Sequence, residues 1–304
     1  ELDFDDSEWQ TGRSSFGNGW GYEATILSDI STGTYSSLYL RKRFFVRDPE
    51  SIHWLVFRTH FDSGVVAYLN GEEVLRRYSS PGNADATVPY DAVAISHDPG
   101  LATEFDVSQA VSLLKKGGNI LCVQAHNDFI GDFRFSIGPE LLGNYNRGPY
   151  IQDATTESIK LIWKTPVNTT GSVEYGTTEE LGISVVNKEP PGIVHVTQLN
   201  ELEPDTRYFY RVRNKVGEIN AVSPIYSFKT LKHSGPVRFM VFGDSGHGTQ
   251  AQYKIAEVIR KNDPELVFHT GDTVYPSLTG FRADTRCLSV YHDHMIRIPY
   301  FYSI

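Results

Sequence analysis

Short runs of alternating or continuous apolar residues fill the chain up to about residue 146 and predict an all-β domain. Gly-rich turns separate these runs, and Asn70-Gly71 after one of them is typical of a type I′ hairpin. Many short strands with such turns favour a sandwich or a jelly roll. The clearest strand patterns cover residues 38–46, 52–58, 65–69 and 120–125.

A Gly148-Pro149 breaker marks the start of a second β pattern, which we place at residues 147–230. Ile159, Leu161 and Trp163 alternate with polar residues along one strand, as expected for a sheet with one buried face. A later strand alternates apolar residues with arginines, and we expect the apolar set to face inward and the arginines to face solvent. The two sets are Tyr208, Tyr210 and Val212, and Arg207, Arg211 and Arg213.

Residues 236–304 begin with a different pattern, in which two apolar runs each end in Gly-Asp. The segment from Thr249 to Asn262 between them predicts a helix, because it holds good helix formers and stops at Asp263-Pro264. A strand, a helix and a second strand in this order form a βαβ unit with parallel strands. The loops that follow parallel strands lie at the same edge of a sheet, so Asp244 and Asp272 are expected to converge.

Two carboxylates held together in this way repel each other, and each would raise the pKa of the other. The loops around Asp244 and Asp272 contain no Arg or Lys that could neutralise them. Bound cations would keep both groups ionised, so the spacing favours a metal site.

Composition and charge narrow the functional classes. With 304 residues, 40% of them hydrophobic, the chain is long enough for two or three domains. Its net charge of -9 argues against a nucleic-acid scaffold, which would carry an excess of Lys and Arg. No apolar run approaches the roughly 18 residues of a membrane span, and the first residues are expected to be a mature, processed end rather than a signal peptide. Cys122 and Cys287 fall in different predicted domains, and we interpret them as two buried thiols.

The two Gly-Asp motifs resemble those of a known enzyme family. Gly243-Asp244-Ser245-Gly246 and Gly271-Asp272-Thr273-Val274-Tyr275 look like the first two motifs of the calcineurin-like metallophosphoesterases, in their purple acid phosphatase branch. The resemblance implies that Asp244 binds one metal, that Asp272 bridges two, and that Tyr275 binds the first metal as a phenolate. Carboxylate and phenolate donors suit iron(III) at the first position, with zinc, manganese or iron(II) at the second.

The same resemblance implies a hydrolytic function. Two metal ions would clamp a phosphate ester and supply a metal-bound hydroxide, so phosphomonoesters, with diesters as an alternative, are the expected substrates. His247, just after the first motif, is a candidate for orienting the substrate, and a plain loop residue is the alternative. The family's GNH motif and later histidine ligands do not occur here, so we expect further sequence beyond Ile304 to supply them. By itself the chain is expected to be inactive.

Residues 1–146 and 147–230 also resemble known β domains. The order of turns and strands in the first, including Tyr68-Leu69-Asn70-Gly71, is similar to the galactose-binding-like jelly roll of secreted bacterial enzymes. In the second, residues 202–208 resemble the tyrosine corner of fibronectin type III sandwiches. Residues 148–230 as a whole are similar to the domain that precedes the catalytic domain in purple acid phosphatases. These resemblances imply an exported protein, whether secreted, periplasmic or on the cell surface.

For several residues the sequence allows both a functional and a structural role. Trp20 and Tyr22 are aromatic candidates for carbohydrate binding by the first domain, against a structural role. His292 and His294 have the spacing of a metal pair, but we interpret them as a solvated helix face. His269 is interpreted as a buried core histidine.

A second function class stays open beside the phosphohydrolase. In it, the two β domains form a surface or extracellular-matrix binding protein that could self-associate, and residues 236–304 are vestigial or a docking element. Phosphatase activity of the complete protein would favour the phosphohydrolase, whereas glycan binding by this chain would favour the binding protein.

Overall fold

Contacts within the chain divide it into two units, Glu1–Gly143 and Asn144–Ile304. The computed structural model describes residues 4–21, 23–78, 87–98, 102–144, 147–275 and 283–303. Strands make up most of the regular structure in these residues, so the expectation of a mainly β chain is confirmed.

Three sheets form the described part of the first unit. Its strands are β1 (Phe16–Asn18), β2 (Thr25–Ile26), β3 (Ser37–Val46), β4 (Leu55–Thr59), β5 (Gly64–Leu69), β6 (Glu72–Arg77), β7 (Thr103–Asp106), β8 (Gly117–His126), β9 (Phe135–Ile137) and β10 (Glu140–Gly143). The sheets have the orders β3-β8-β5-β6, β10-β4-β7 and β2-β1-β9. One apolar cluster joins them, with Phe57, Phe61 and Phe135 among its fully buried members. The all-β prediction is confirmed, while a jelly-roll topology stays a prediction.

The turn between β5 and β6 shows why Asn-Gly stands there. Asn70 has a φ of 53° and Gly71 a φ of 96°, and a type I′ turn needs positive φ at both positions. The Asn70 amide also donates a hydrogen bond to the Leu113 carbonyl at 2.7 Å. The predicted hairpin is confirmed.

Asp62 is a carboxylate of the first unit whose surroundings oppose its charge. It is 8% exposed, and it accepts hydrogen bonds from the Trp20 indole N–H at 3.0 Å and the Ser63 hydroxyl at 3.3 Å. Burial raises the pKa of Asp62 to about 6, because those two hydrogen bonds offset only part of the lost hydration.

Trp20, a candidate for carbohydrate binding, is half-buried and hydrogen-bonded to Asp62, whereas Tyr22 lies outside the described residues. Carbohydrate binding by this domain stays a prediction.

We expect Asp62→Asn to stabilise the protein at neutral pH but not in acid. The folded pKa of Asp62 lies above the unfolded value of about 3.9. Its protonated form therefore contributes stability below about pH 4 that is lost as the pH rises through about 6. At about pH 7.5 the variant should gain roughly 1 to 2 kcal/mol in the free energy of unfolding, after allowance for solvent screening.

Urea unfolding at about pH 4 and about pH 7.5 measures this difference. Asp48→Asn, at an exposed position of the same unit, is the matched control. An equal gain in both variants, or a gain that does not depend on pH, would contradict the assignment to burial of Asp62.

The second unit begins with a β-sandwich. Its strands are β11 (Arg147–Gln152), β12 (Ile159–Gly176), β13 (Ile183–Val186), β14 (Gly192–Leu199), β15 (Arg207–Val216), β16 (Ile219–Val222) and β17 (Tyr226–Lys229). The 18-residue β12 serves both layers, because its first half pairs with β11 and β14 and its second half with β13 and β15. β16 and β17 pair with β15. Trp163 and Tyr210 are fully buried in the cluster between the layers.

The alternation along β15 is confirmed, since the three apolar side chains are buried and the arginines lie at the surface. Arg211 and Arg213 form ion pairs with Glu174 at 2.5 and 2.6 Å. The Tyr208 hydroxyl accepts a hydrogen bond from the Glu203 backbone N–H at 3.0 Å. A bond between the tyrosine hydroxyl and backbone a few residues upstream is the feature that defines the tyrosine corner, which residues 202–208 resemble.

An α/β segment completes the second unit. Its elements are β18 (Phe239–Phe242), α1 (Gln250–Asn262), β19 (Leu266–His269), a π-helical turn (Asp284–Leu288), α2 (His292–Met295) and β20 (Tyr300–Tyr302). The strands form a parallel sheet in the order β18-β19-β20. α1 ends at Asn262, where Asp263 takes the left-handed conformation with a φ of 44°. The βαβ prediction is confirmed.

A buried hydrogen bond links the sandwich to this α/β segment, from the Tyr210 hydroxyl to the Ile296 carbonyl at 2.7 Å. Tyr210→Phe would leave that carbonyl buried without this partner, and we expect a loss of about 1 to 2 kcal/mol in the free energy of unfolding. Tyr226→Phe is the control, because its ring lies 5.7 Å from Tyr210 while no hydrogen bond of its hydroxyl occurs among the described residues. Chemical denaturation measures both, and equal losses would refute the role of the Tyr210 hydroxyl.

Two smaller expectations concern membranes and cysteines. The longest helix in the described residues, α1, has 13 residues, and no described helix is both long and apolar enough to cross a membrane. Cys122 and Cys287 are both unbridged. Cys287 is buried and Cys122 half-buried, so the interpretation as buried thiols is confirmed for Cys287 and wrong for Cys122.

Candidate metal centre

Two loops leave the sheet side by side, one after β18 and one after β19. Asp244 lies in the first and Asp272 in the second, and both have left-handed backbones with φ of 53° and 51°. Asp tolerates this conformation better than most residues, because its short polar side chain forms local hydrogen bonds. Both carboxylates are exposed at the same edge of the sheet.

The Tyr275 hydroxyl joins the two carboxylates. It is hydrogen-bonded to Asp244 Oδ1 and, at 2.5 Å, to Asp272 Oδ2. The hydrogen bonds to Asp244 and then to Asp272 raise the pKa of Tyr275 above its usual value. Three oxygen donors from two loops therefore point at one place.

Close backbone packing holds the two loops together. The Tyr275 N–H donates to the Gly246 carbonyl at 2.9 Å, and the Asp244 N–H donates to the Gly271 carbonyl at 3.3 Å. A Cβ on Gly246 would overlap the Thr273 carbonyl oxygen. The last glycine of the first motif is therefore required for the second loop to approach.

The buried side chain of His269 contacts both motifs. It is 1% exposed, its Nε2 lies 2.9 Å from the Ser245 hydroxyl, and its Nδ1 accepts a hydrogen bond from the Gly271 N–H at 3.4 Å. Burial lowers the pKa of His269, which keeps the ring neutral. The prediction of a buried core histidine is confirmed, and the ring connects the first motif to the second.

Gln252 and Arg286 also hold the loops, and neither was predicted from the sequence. Gln252 is buried on α1, where its Oε1 accepts from the Gly248 N–H at 2.7 Å and its Nε2 donates to the Arg286 carbonyl. The buried Arg286 guanidinium donates to the Tyr275 carbonyl. Gln252 could have been found from the sequence, because it shares the helical spacing of the buried Ala256 and Ile259 and so lies on the buried face of α1. Arg286 lies in an irregular helical turn, where no periodic pattern indicates which side chains are buried.

His247 lies next to the three donors. Its ring stacks on the Tyr275 ring, with centroids 4.4 Å apart and an angle of 17° between the planes, and it is exposed. This places an imidazole at the edge of the candidate site.

The interpretation of His292 and His294 as a solvated helix face is wrong for His294. His294 is 5% exposed, and its Nδ1 lies 3.0 Å from the Tyr300 hydroxyl. The reason is that α2 packs against β11, where the His292 ring meets the Tyr150 ring edge-on at 5.7 Å, while His294 contacts Tyr300 of β20. Neither histidine joins Asp244 and Asp272 in the contacts of the described residues.

The donor set can be compared with the needs of a metal ion. The described residues contain no group of three or more His, Cys, Asp and Glu side chains with metal-binding geometry. Two carboxylates and a phenol nevertheless converge, and such oxygen donors suit a hard cation. The residues present fit part of a metal site.

Comparison with known proteins relates the sandwich to one family. Residues 150–230 match the family described as Purple acid Phosphatase, N-terminal domain. Purple acid phosphatase 23 of Arabidopsis thaliana is 36% identical over 88 residues, 28% of this chain and 19% of that protein. Purple acid phosphatase 15 of the same plant is 33% identical over 91 residues, 29% of this chain and 16% of that protein.

A solved structure gives a further similarity. Purple acid phosphatase PPD1 from yellow lupin (Lupinus luteus) seeds has a TM-score of 0.47 and 17% identity, over 96% of this chain and 57% of that chain. The matches to the two Arabidopsis proteins span less than a fifth of the length of each.

Proposed function

We propose that this chain is part of a metal-dependent phosphohydrolase, because residues 150–230 match the family described as Purple acid Phosphatase, N-terminal domain. Phosphate monoesters are the first substrate class of the proposal, and diesters are the second. An exported location, secreted, periplasmic or at the cell surface, belongs to the same proposal. The relationship rests on the sandwich, and Asp244, Asp272 and Tyr275 lie outside the matched residues, so they support the proposal independently.

The contact of the Tyr275 hydroxyl with both carboxylates carries this proposal. Two adjacent loop carboxylates would separate in water if nothing held them, since like charges repel. Here the phenol lies between Asp244 and Asp272, at 2.5 Å from the latter. A cation bound between these groups would have three oxygen ligands that already point towards it.

The proposed cofactor is a pair of metal ions. Asp244 and Tyr275 would hold the first, iron, and Asp272 would bridge to the second, zinc, manganese or iron, with further ligands from outside the described residues. When bound, such a pair polarises the phosphoryl oxygens and activates the attacking water. The protein groups keep the ligands in place, through the backbone contacts of Gly246 and the ring of His269.

His247 is proposed to bind substrate. Stacking on the Tyr275 ring fixes the orientation of its imidazole at the exposed edge of the site. An imidazole N–H there can donate a hydrogen bond to a phosphate oxygen, which orients the ester relative to Asp244 and Asp272.

Removal and return of metal tests the proposed function. In the complete protein, hydrolysis of p-nitrophenyl phosphate should be lost on treatment with a chelator and restored by iron together with zinc, manganese or iron. Metal-loaded wild type should also show a visible absorption band from the iron-bound phenolate, and Tyr275→Phe should lack it. Hydrolysis that survives chelation with no bound metal, or an unchanged band in Tyr275→Phe, would refute the proposed centre.

A further inference from the structure

The backbone of Tyr275 is held on both sides of the residue. Its N–H donates a hydrogen bond to the Gly246 carbonyl at 2.9 Å, and its carbonyl accepts one from the Arg286 guanidinium. The hydroxyl is the atom of a tyrosine farthest from its backbone, so a small rotation of that backbone moves the hydroxyl a long way. These two hydrogen bonds therefore restrict where the Tyr275 hydroxyl can meet Asp244 and Asp272.

Arg286 is buried, although arginine is among the residues that proteins rarely bury. It is 3% exposed in the π-helical turn Asp284–Leu288. Withdrawing a guanidinium from water is costly unless its N–H groups find acceptors. An apolar side chain would fill the same space without that cost, so the burial of Arg286 indicates a role for its N–H groups.

The backbone of Arg286 is held by a side chain of α1. Gln252 Nε2 donates to the Arg286 carbonyl, and Gln252 Oε1 accepts from the Gly248 N–H at 2.7 Å. Gln252 is 2% exposed. Gly248 belongs to the loop after β18, which also carries Asp244. Hydrogen bonds therefore run from the first motif loop, through Gln252 and Arg286, to the second motif loop.

Tyr291 fixes the turn that carries Arg286 a second time. Its N–H donates to the Cys287 carbonyl at 3.0 Å, and its ring packs on the Phe242 ring with centroids 5.3 Å apart. Phe242 is the last residue of β18, directly before the first motif. The turn is thus attached to the strand that leads into the first motif, and the guanidinium of Arg286 starts from a fixed position.

We infer that Arg286 is a positioning residue for the proposed metal ligand Tyr275, and that Gln252 holds Arg286 in place relative to the first motif. This inference rests on the proposed function, because it concerns where the phenol oxygen stands relative to a bound iron ion. Arginine suits the task, since its long side chain carries several N–H donors in a rigid arrangement. Removing such an outer partner of a metal ligand typically costs about ten- to a hundredfold in metal affinity or rate.

Arg286→Met tests the inference, because it keeps an apolar stem and removes every N–H donor of the side chain. In the iron-loaded complete protein, the absorption band of the iron-bound phenolate should shift and weaken, and iron affinity should fall about ten- to a hundredfold. Arg286→Lys returns a donating group and should recover part of both. Arg238→Gln is the matched control and should leave both unchanged, since this exposed arginine donates to the Asn262 carbonyl at 3.1 Å, at the opposite end of β18.

Gln252→Leu provides a second route that leaves Arg286 itself unchanged. Its band should shift in the same direction by less, and its effect on iron affinity should not multiply with that of Arg286→Met, because both act through one set of hydrogen bonds. A wild type that binds no iron would contradict the proposed function, and this inference with it. A wild-type band and iron affinity in Arg286→Met would overturn this inference alone. If Arg286→Met does not fold, a wild-type band in Gln252→Leu would overturn it.

Discussion

Asp272→Asn in the complete protein is expected to lower phosphate-ester hydrolysis about a hundredfold or more, with loss of bound metal. Asn keeps the size of the side chain but removes the negative charge that Asp272 would supply as the proposed bridging ligand. It also tolerates the left-handed backbone of this position, where φ is 51°, so the loop should keep its shape. The loss should therefore appear in metal content and rate, with little change in the melting temperature of the metal-free protein.

Asp263→Asn is the matched control for this substitution. Asp263 is also exposed and left-handed, with a φ of 44°, but it ends α1 and takes no part in the candidate site. Metal content by elemental analysis and initial rates should be unchanged in this variant. Equal losses in Asp263→Asn and Asp272→Asn, or normal metal content in Asp272→Asn, would count against Asp272 as a ligand.

Gly246→Ala is expected to have the second largest effect on the site. The added Cβ would overlap the Thr273 carbonyl, and backbone cannot swing aside as the end of a flexible side chain can. The two loops must then separate, which would move Asp244 away from Asp272 and Tyr275. We expect metal affinity to fall about ten- to a hundredfold and the free energy of unfolding to fall by about 1 to 3 kcal/mol.

Gly118→Ala separates this effect from the general cost of replacing a glycine. No atom lies within 4 Å of the Cβ position at Gly118, and its backbone is not left-handed. Calorimetric titration with metal and urea unfolding of both variants give the comparison. Metal affinity in Gly246→Ala that equals wild type would show that the loops do not need this close approach.

The position of the acidic pair could be predicted because it depends on local rules. Two apolar runs around a helix dictate parallel strands, and parallel strands place Asp244 and Asp272 at one edge. The offset of Tyr275 was visible as a motif. The spacing did not predict that the Tyr275 hydroxyl contacts both carboxylates, and this contact is seen only in the structure.

The groups that hold the site in place could not be predicted in the same way. Arg286 reaches the Tyr275 carbonyl from an irregular π-helical turn, where no periodic pattern shows which side chain points inward. The Tyr210 hydroxyl bonds the Ile296 carbonyl across 86 residues of sequence, and such a pairing depends on how layers stack. His294 was misjudged for the same reason, since its helix is covered by elements distant in the chain.

The sandwich and the α/β segment share apolar contacts as well as that hydrogen bond. Phe301 of β20 packs against the core of the sandwich, and Tyr150 of β11 belongs to the core of the α/β segment. If the chain were divided at residues 231–235 and the two halves separated, part of the hydrophobic core of each half would therefore become exposed. The two halves should melt together as one cooperative block, and the family-matched domain should be less soluble when expressed alone than in this chain.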